Sequence, residues 1–386
     1  MPYPGVQINV SNGNVSRPVV GDGVGAIIAT ALVSGNIGVV NQVYNLKDAE
    51  TKGYTAVAEP FIHQFLAEFY TELGGNQLLY VLGVADTMLM KDMVDSTNAN
   101  GISKLQNAAA GAITVIGVLR KPATGYDAGT GFLDKDVQDA VLGSLPLCTA
   151  LQLKNTPVRL LIEGRIANEN VANTFTPNTS ANGFAAVVLG ATAPDCSAAV
   201  SLALARACKY GVNVKLGSGQ NGPLSVTQLY VGTKTIEERI DIETLHDAGF
   251  MTFQVRPGAA GYYFGVDNMC STDDFKILAH GRTIDKAQRI AAAAYLPNIE
   301  TDIAIDADGS PKDIDCIALE KQGEQSVLAN MGNQISGVKV TIDPTQGAGG
   351  NSIITTSTLN AELAIQPKGY LTWIRINMGL TAQITQ

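Results

Sequence analysis

Residues 60–84 constrain the fold more than any other part of the chain. Ile62, Phe65, Leu66, Phe69 and Leu73 recur at the spacing of one helix face. Pro60 sits at the first turn of that helix and Gly74-Gly75 stops it. An apolar run at 26–32 precedes it and another at 78–84 follows. A helix held between two apolar strands is an α/β unit, and strands that are apolar throughout must be covered on both faces.

The same alternation continues downstream. Residues 91–130 are rich in Asn, Gly, Ala and Thr, with one strand expected at 112–119. Strands are expected at 158–163, 184–190, 212–216 and 250–255. Helices are expected at 197–210, capped by Asp195 and ended by Gly211, and at 236–247, ended by Gly249. Another helix is read over 272–295. On its wheel Arg282, Lys286 and Arg289 fall on one narrow face, and Ile277, Ile284, Ala287, Ala291 and Ala294 on the other. From the residues alone the basic face reads as an ordinary solvated surface.

Both ends of the chain look like strands. Val6, Ile8 and Val10 alternate with Gln7 and Asn9, either as a free arm or as a hairpin with 15–20 closed at Asn12-Gly13. Towards the other end, 338–342 alternates, and so do Leu359, Ala361, Leu363 and Ile365. After a turn at Pro367-Lys368-Gly369, Ile374, Ile376 and Met378 face one way and Trp373, Arg375 and Asn377 the other. The fold class is therefore mixed α/β with strand-like ends.

Composition excludes several functions. With 386 residues there is room for two or three domains, and 46% hydrophobic against 16% charged residues excludes a disordered chain. A net charge of -9 disfavours nucleic acid, which needs a basic footprint. Cys148, Cys196, Cys208, Cys270 and Cys316 form no Cys-x-x-Cys pair and are odd in number, so free thiols in a reducing compartment are expected. The N-terminus lacks the pattern of a signal peptide, and no run approaches a membrane span, so the cytoplasm is the expected place of synthesis.

Catalytic and cofactor motifs are weak. His63, His246 and His280 are far apart and form no zinc pattern. There is no Gly-x-Ser-x-Gly elbow and no Gly-Lys-Ser/Thr loop. Gly21-Asp22-Gly23-Val24-Gly25 leads into a strand rather than a helix, which reads as a flexible hinge and not as a dinucleotide loop. Calcium-loop spacing around Gly309 puts Ala304 at the first ligand position and fails, leaving a tight acidic turn at 306–310. Residues 134–139 read as a helix start. No cofactor or metal is expected. An α/β enzyme with its site in the middle of the chain is the alternative from another class.

Several stretches carry a resemblance. Gly74, Gly75, Tyr80, Val81 and Val84 fit one pattern, although Gly83 stands where a basic residue is expected. Leu245, Ala248, Gly249, Pro257 and Gly258 fit a second, but Asp267-Asn268 replace its Arg-Thr. Arg282 and Asp285 fit a third, on a helix, and the strands at 337–343 and 362–378 follow. In this order the chain resembles the contractile tail sheath family, over the first 85 and the last 140 or so residues.

The resemblance implies a discontinuous core built from both chain ends (25–85 and 266–370), an outward-facing insert at 86–265, and terminal arms at 1–24 and 371–386. It implies that Val6, Ile8 and Val10, and Trp373, Ile374, Ile376 and Met378, pair with neighbouring copies. It also implies a tube-facing role for Arg282, Lys286 and Arg289. The partners would be other copies of the chain, a tail tube protein, and baseplate and terminator proteins. Another self-assembling tail component is a further alternative.

Overall fold

The structure is a computed structural model that describes residues 22–344, 353–372 and 374–376. β1 (Gly25–Thr30) leads to β2 (Val40–Val43), α1 (Leu46–Thr51), α2 (Pro60–Leu73) and β3 (Leu79–Val84). Then come α3 (Met90–Met93), α4 (Ile102–Ala108), β4 (Val115–Val118), α5 (Lys135–Leu153), β5 (Arg159–Glu163), β6 (Ala185–Val188) and α6 (Val200–Lys209). The short ladders β7 (Tyr230–Val231) with β8 (Lys234–Thr235), and β9 (Phe253–Val255) with β10 (Tyr262–Phe264), flank α7 (Ile242–Asp247). Last come α8 (Leu278–Tyr295), α9 (Asp313–Met331), β11 (Ile335–Thr341), α10 (Ile353–Thr356) and β12 (Glu362–Pro367).

Six strands form one sheet in the order β2-β3-β1-β4-β5-β6. All neighbours are parallel except β2, which runs antiparallel to β3 at the edge. Every residue of β1, β3, β4, β5 and β6 is buried, and all are apolar or glycine except Thr30 at the end of β1 and Arg159 and Glu163 at the two ends of β5. α2 packs on α6, which lies on β4 and β5, while α5 packs on β5 and β6. α2 starts at Pro60 and ends at Gly74, whose φ of 71° is the left-handed conformation that suits glycine.

A second, smaller cluster sits beyond the sheet. Ala287 and Ile290 of α8 meet Val327 and Met331 of α9, Ile335 of β11, and Val212. β11 and β12 form a two-stranded antiparallel sheet that α9 covers.

Three expectations need correction. Residue 85 is no domain boundary: β1 pairs with β3 on one side and β4 on the other, so 86–265 does not stand apart as an insert. The loop at 21–25 is no flexible hinge from Asp22 onward. Gly23 lies so close to α6 that a Cβ there would come 2.7 Å from the Cys208 Cα, and the Asp22 carboxylate engages Lys286 and Gln334. Third, 212–216 is not a strand, and 236–247 is a 3-10 turn at Ile236–Glu238 followed by α7.

Two 19-residue helices carry little sequence signal. α5 contains Pro146, and only its start at Asp134 was legible; that carboxylate caps the Asp136 N–H at 2.9 Å. α9 buries Cys316, Gly323, Val327 and Met331 but exposes Ile314, Ile317 and Leu328 on other faces. Without a single apolar stripe it has no clear helical period.

Candidate functional site

α8 is the seam between the two units, and its basic face points inward. Arg282 donates from Nη2 to the main-chain carbonyls of Asp22 (2.9 Å), Ala207 and Tyr210 (3.1 Å). Ala207 and Tyr210 belong to the carboxyl end of α6, where a cation offsets the unpaired carbonyls and the negative end of the helix dipole. Arg289 donates to the carbonyls of Gly111 (2.6 Å), Ile113 (2.9 Å) and Pro157 (2.8 Å). Lys286 joins the Asp22 carboxylate and the Gln334 amide oxygen (3.0 Å). Burial pulls both guanidinium groups below their ordinary pKa.

The sequence reading of this face as solvated and tube-facing is therefore corrected. Arg282 is 3% exposed and Lys286 7%: main-chain carbonyls accept from Arg282, and the Asp22 carboxylate and Gln334 amide oxygen accept from Lys286, in place of water. Only the fold could reveal this, since the acceptors, backbone carbonyls for the two arginines and side-chain oxygens for Lys286, come from distant parts of the chain.

A second lock lies beside it. Arg159, on β5, donates from Nε and Nη2 to the Asp285 carboxylate, both at 2.6 Å. It also reaches the carbonyls of Gly183 (2.6 Å) and Gly281 (3.2 Å), and its plane lies over Phe184 and Phe275.

The carboxyl ends of the parallel strands, where open α/β sheets hold ligands, are filled by the chain itself. Arg120 pairs with Asp136 at 3.3 Å, and its N–H donates to Glu163 at 2.8 Å. Asp134 accepts from Tyr126 at 2.8 Å. Glu163 is fully buried, which pushes its carboxyl up to about 7 despite the nearby Arg165.

The β11–β12 hairpin presents one open edge. On the outer side of β11, Val340 and Ile342 donate their N–H groups to Glu324 (3.2 Å) and Glu320 (2.8 Å). β12 has no second strand beside it among the described residues. An apolar groove of about 390 Å³ runs there, lined by Ile284, Ala291, Tyr295, Leu359, Ala361 and Leu363. Beyond β12 the chain crosses to the main unit. Tyr370 donates to the Asn213 carbonyl at 2.7 Å, and its ring lies tilted by 32° against His280, with the centroids 5.6 Å apart. After Tyr370, Leu371, Ile374 and Ile376 are 88%, 75% and 74% exposed.

Of the expected inter-subunit residues, only Ile374 and Ile376 fall among the described ones; Val6, Ile8, Val10, Trp373 and Met378 lie outside them. His63 sits on α2, while His246 and His280 line one groove that the sequence gave no reason to expect. All five cysteines are free. Among the described residues no cluster of His, Cys, Asp and Glu is arranged to hold a metal ion, and no helix is long and apolar enough to cross a membrane.

This architecture is that of contractile sheath proteins. The helical sheath of the anti-feeding prophage in its contracted state is 13% identical, with a TM-score of 0.60 over 98% of this chain and 99% of that one. The sheath of an extracellular contractile injection system, PVC, also contracted, is 12% identical, with a TM-score of 0.54 over 99% and 98%. A sheath tail protein from Desulfitobacterium hafniense is 11% identical, with a TM-score of 0.52 over 94% and 100%. No curated protein matches. Residues 3–268 match the N-terminal domain of the DUF2586 family and residues 274–385 its C-terminal domain, and the chain belongs to that family. The junction between the two domains falls just before α8.

Proposed function

We propose that this chain is a structural subunit that polymerises with copies of itself into the helical contractile sheath around a tail tube, and that contraction of the sheath drives the tube outward. The observation that carries the proposal is the open edge of β12 beside an apolar groove, with exposed apolar residues on the following segment. An incoming strand would hydrogen-bond to β12 and lay alternate apolar side chains into the groove. The α9 carboxylates engage β11 on its outer side, which favours addition on the β12 side. The arm residues Val6, Ile8 and Val10, or Trp373, Ile374, Ile376 and Met378, supply such strands. The sheath fold of the structural neighbours supports the same reading.

The role is mechanical rather than catalytic, and the ion pairs that fill the sheet's carboxyl edge agree with it. A tube protein, a baseplate and a terminator are the further partners, and the finished product is a tail or injection particle. Negative-stain microscopy with light scattering on the purified chain tests the proposal. Regular wide-bore helical tubes are expected. A concentration-independent monomer that stays monomeric with tube and baseplate proteins would overturn it.

A further inference from the structure

One groove beside the start of α8 is basic. About 690 Å³ lies between the main unit, the start of α8 and the segment after β12. Lys215, Lys276, Lys368, His246 and His280 line it against one carboxylate, Asp247, which His246 engages at 3.2 Å. Below Lys215, at 3.7 Å, lies the buried carboxylate of Asp267. The groove opens at the amino end of α8, where the helix dipole adds to the positive field.

The other end of α8 carries the opposite charge. Residues 300–315 hold Glu300, Asp302, Asp306, Asp308, Asp313 and Asp315 against the single cation Lys312. Glu300, Asp302, Asp306 and Asp313 are exposed. A tight turn fixes the segment's shape: the Asp306 N–H donates to the Ser310 carbonyl, and the Gly309 N–H to that of Asp306, both at 2.9 Å. Ile299 and Ile314 stand exposed beside the carboxylates.

We propose that the acidic segment 300–315 of one copy seats in the basic groove of the next. α8 has 18 residues, so the two surfaces are separated by about 27 Å along a rigid helix. One copy cannot satisfy its own groove with its own segment across that span. Complementary but non-identical surfaces on one chain make a heterologous contact, which repeats head to tail and generates rings or helices. The contact rests on the sheath reading for its helical outcome and adds a charge-dependent interface to strand exchange. It weakens with salt, because its charges lie at the surface.

Charge reversal tests the pairing. One variant carries Lys276→Glu with Lys368→Glu, and a second carries Asp302→Lys with Asp306→Lys, each checked for wild-type folding by circular dichroism. Each alone is expected to lose the sedimenting polymer, and an equimolar mixture to regain it, since the reversed groove accepts the reversed segment. Wild-type polymer from either variant alone, or no recovery in the mixture, overturns the proposal while leaving the sheath reading intact. If the wild type forms no tubes, carbodiimide cross-linking of isotope-labelled with unlabelled copies decides separately. Lys276–Asp302 or Lys368–Asp306 links between copies support the contact, and their absence overturns it. Saturable citrate binding with assembly unchanged by reversal also overturns it, and assigns the groove to a small anion.

Discussion

The Asp285 carboxylate accepts two hydrogen bonds of 2.6 Å from the Arg159 guanidinium, joining residues 126 positions apart. Both side chains are almost wholly withdrawn from water. This pair fixes α8 against β5 and so sets the angle at which the C-terminal unit leaves the sheet. A buried pair of this kind adds little net stability over an apolar replacement, but breaking it leaves a bare charge.

Asp285→Ala is therefore expected to cost about 3–5 kcal/mol in urea unfolding. Arg159→Met combined with Asp285→Leu should recover most of that loss. Equal losses in the single and double variants would show that the ion pair is not the source.

Gly281→Ala probes the same contact by shape. A Cβ at 281 would lie 2.7 Å from the Arg159 Cζ and 2.8 Å from its Nε. The guanidinium is held on all sides and has nowhere to go. A loss of about 1–3 kcal/mol is expected, read as a lower thermal midpoint.

Arg282→Glu is expected to damage folding rather than assembly alone. The substitution removes the donor to the end of α6 and places a carboxylate among the carbonyls of Asp22, Ala207 and Tyr210. Several kcal/mol should be lost. A variant with wild-type unfolding behaviour that fails only to assemble would contradict this.

Glu163 gives a pH dependence of definite sign. Its folded value of about 7 lies above the ordinary glutamate range, so the folded state holds the proton more tightly than the unfolded state. Stability contributed by the protonated form is present below the unfolded value near 4.3 and is lost as pH rises through about 7. The decline reaches at most about 4 kcal/mol. Glu163→Gln should flatten that part of a stability-versus-pH curve measured by urea unfolding from pH 4 to 8.

Removal of residues 371–386 tests strand exchange. Tyr370 and the hairpin remain, so the shortened chain should unfold like the full one yet form no tubes under the microscope. Long ordered tubes from it would remove the C-terminal segment from the assembly scheme.

The sheet was legible wherever burial leaves a local trace. β1 and β3 are apolar runs, β5 has an apolar centre at 160–162, and α2 carries a single stripe between a proline and a glycine. α9 was not legible, because it buries Cys316 and Val327 on one side and leaves Ile314 and Ile317 on others. The basic face of α8 was seen but misplaced: charge on a helix wheel predicts solvent, whereas Arg282 is buried and Arg289 half-buried, both donating to carbonyls.

By itself the sequence determined the α/β alternation, the bounds of α2 and the likeness to sheath proteins, because periodicity and composition act over a few residues. The tertiary structure alone decided that β4 to β6 extend the first sheet, that Asp22, Lys286 and Gln334 meet, and that a basic groove and an acidic segment lie at opposite ends of α8. Those relationships depend on hydrogen bonds and charges between residues tens to hundreds of positions apart, and local sequence pattern carries no record of such distances.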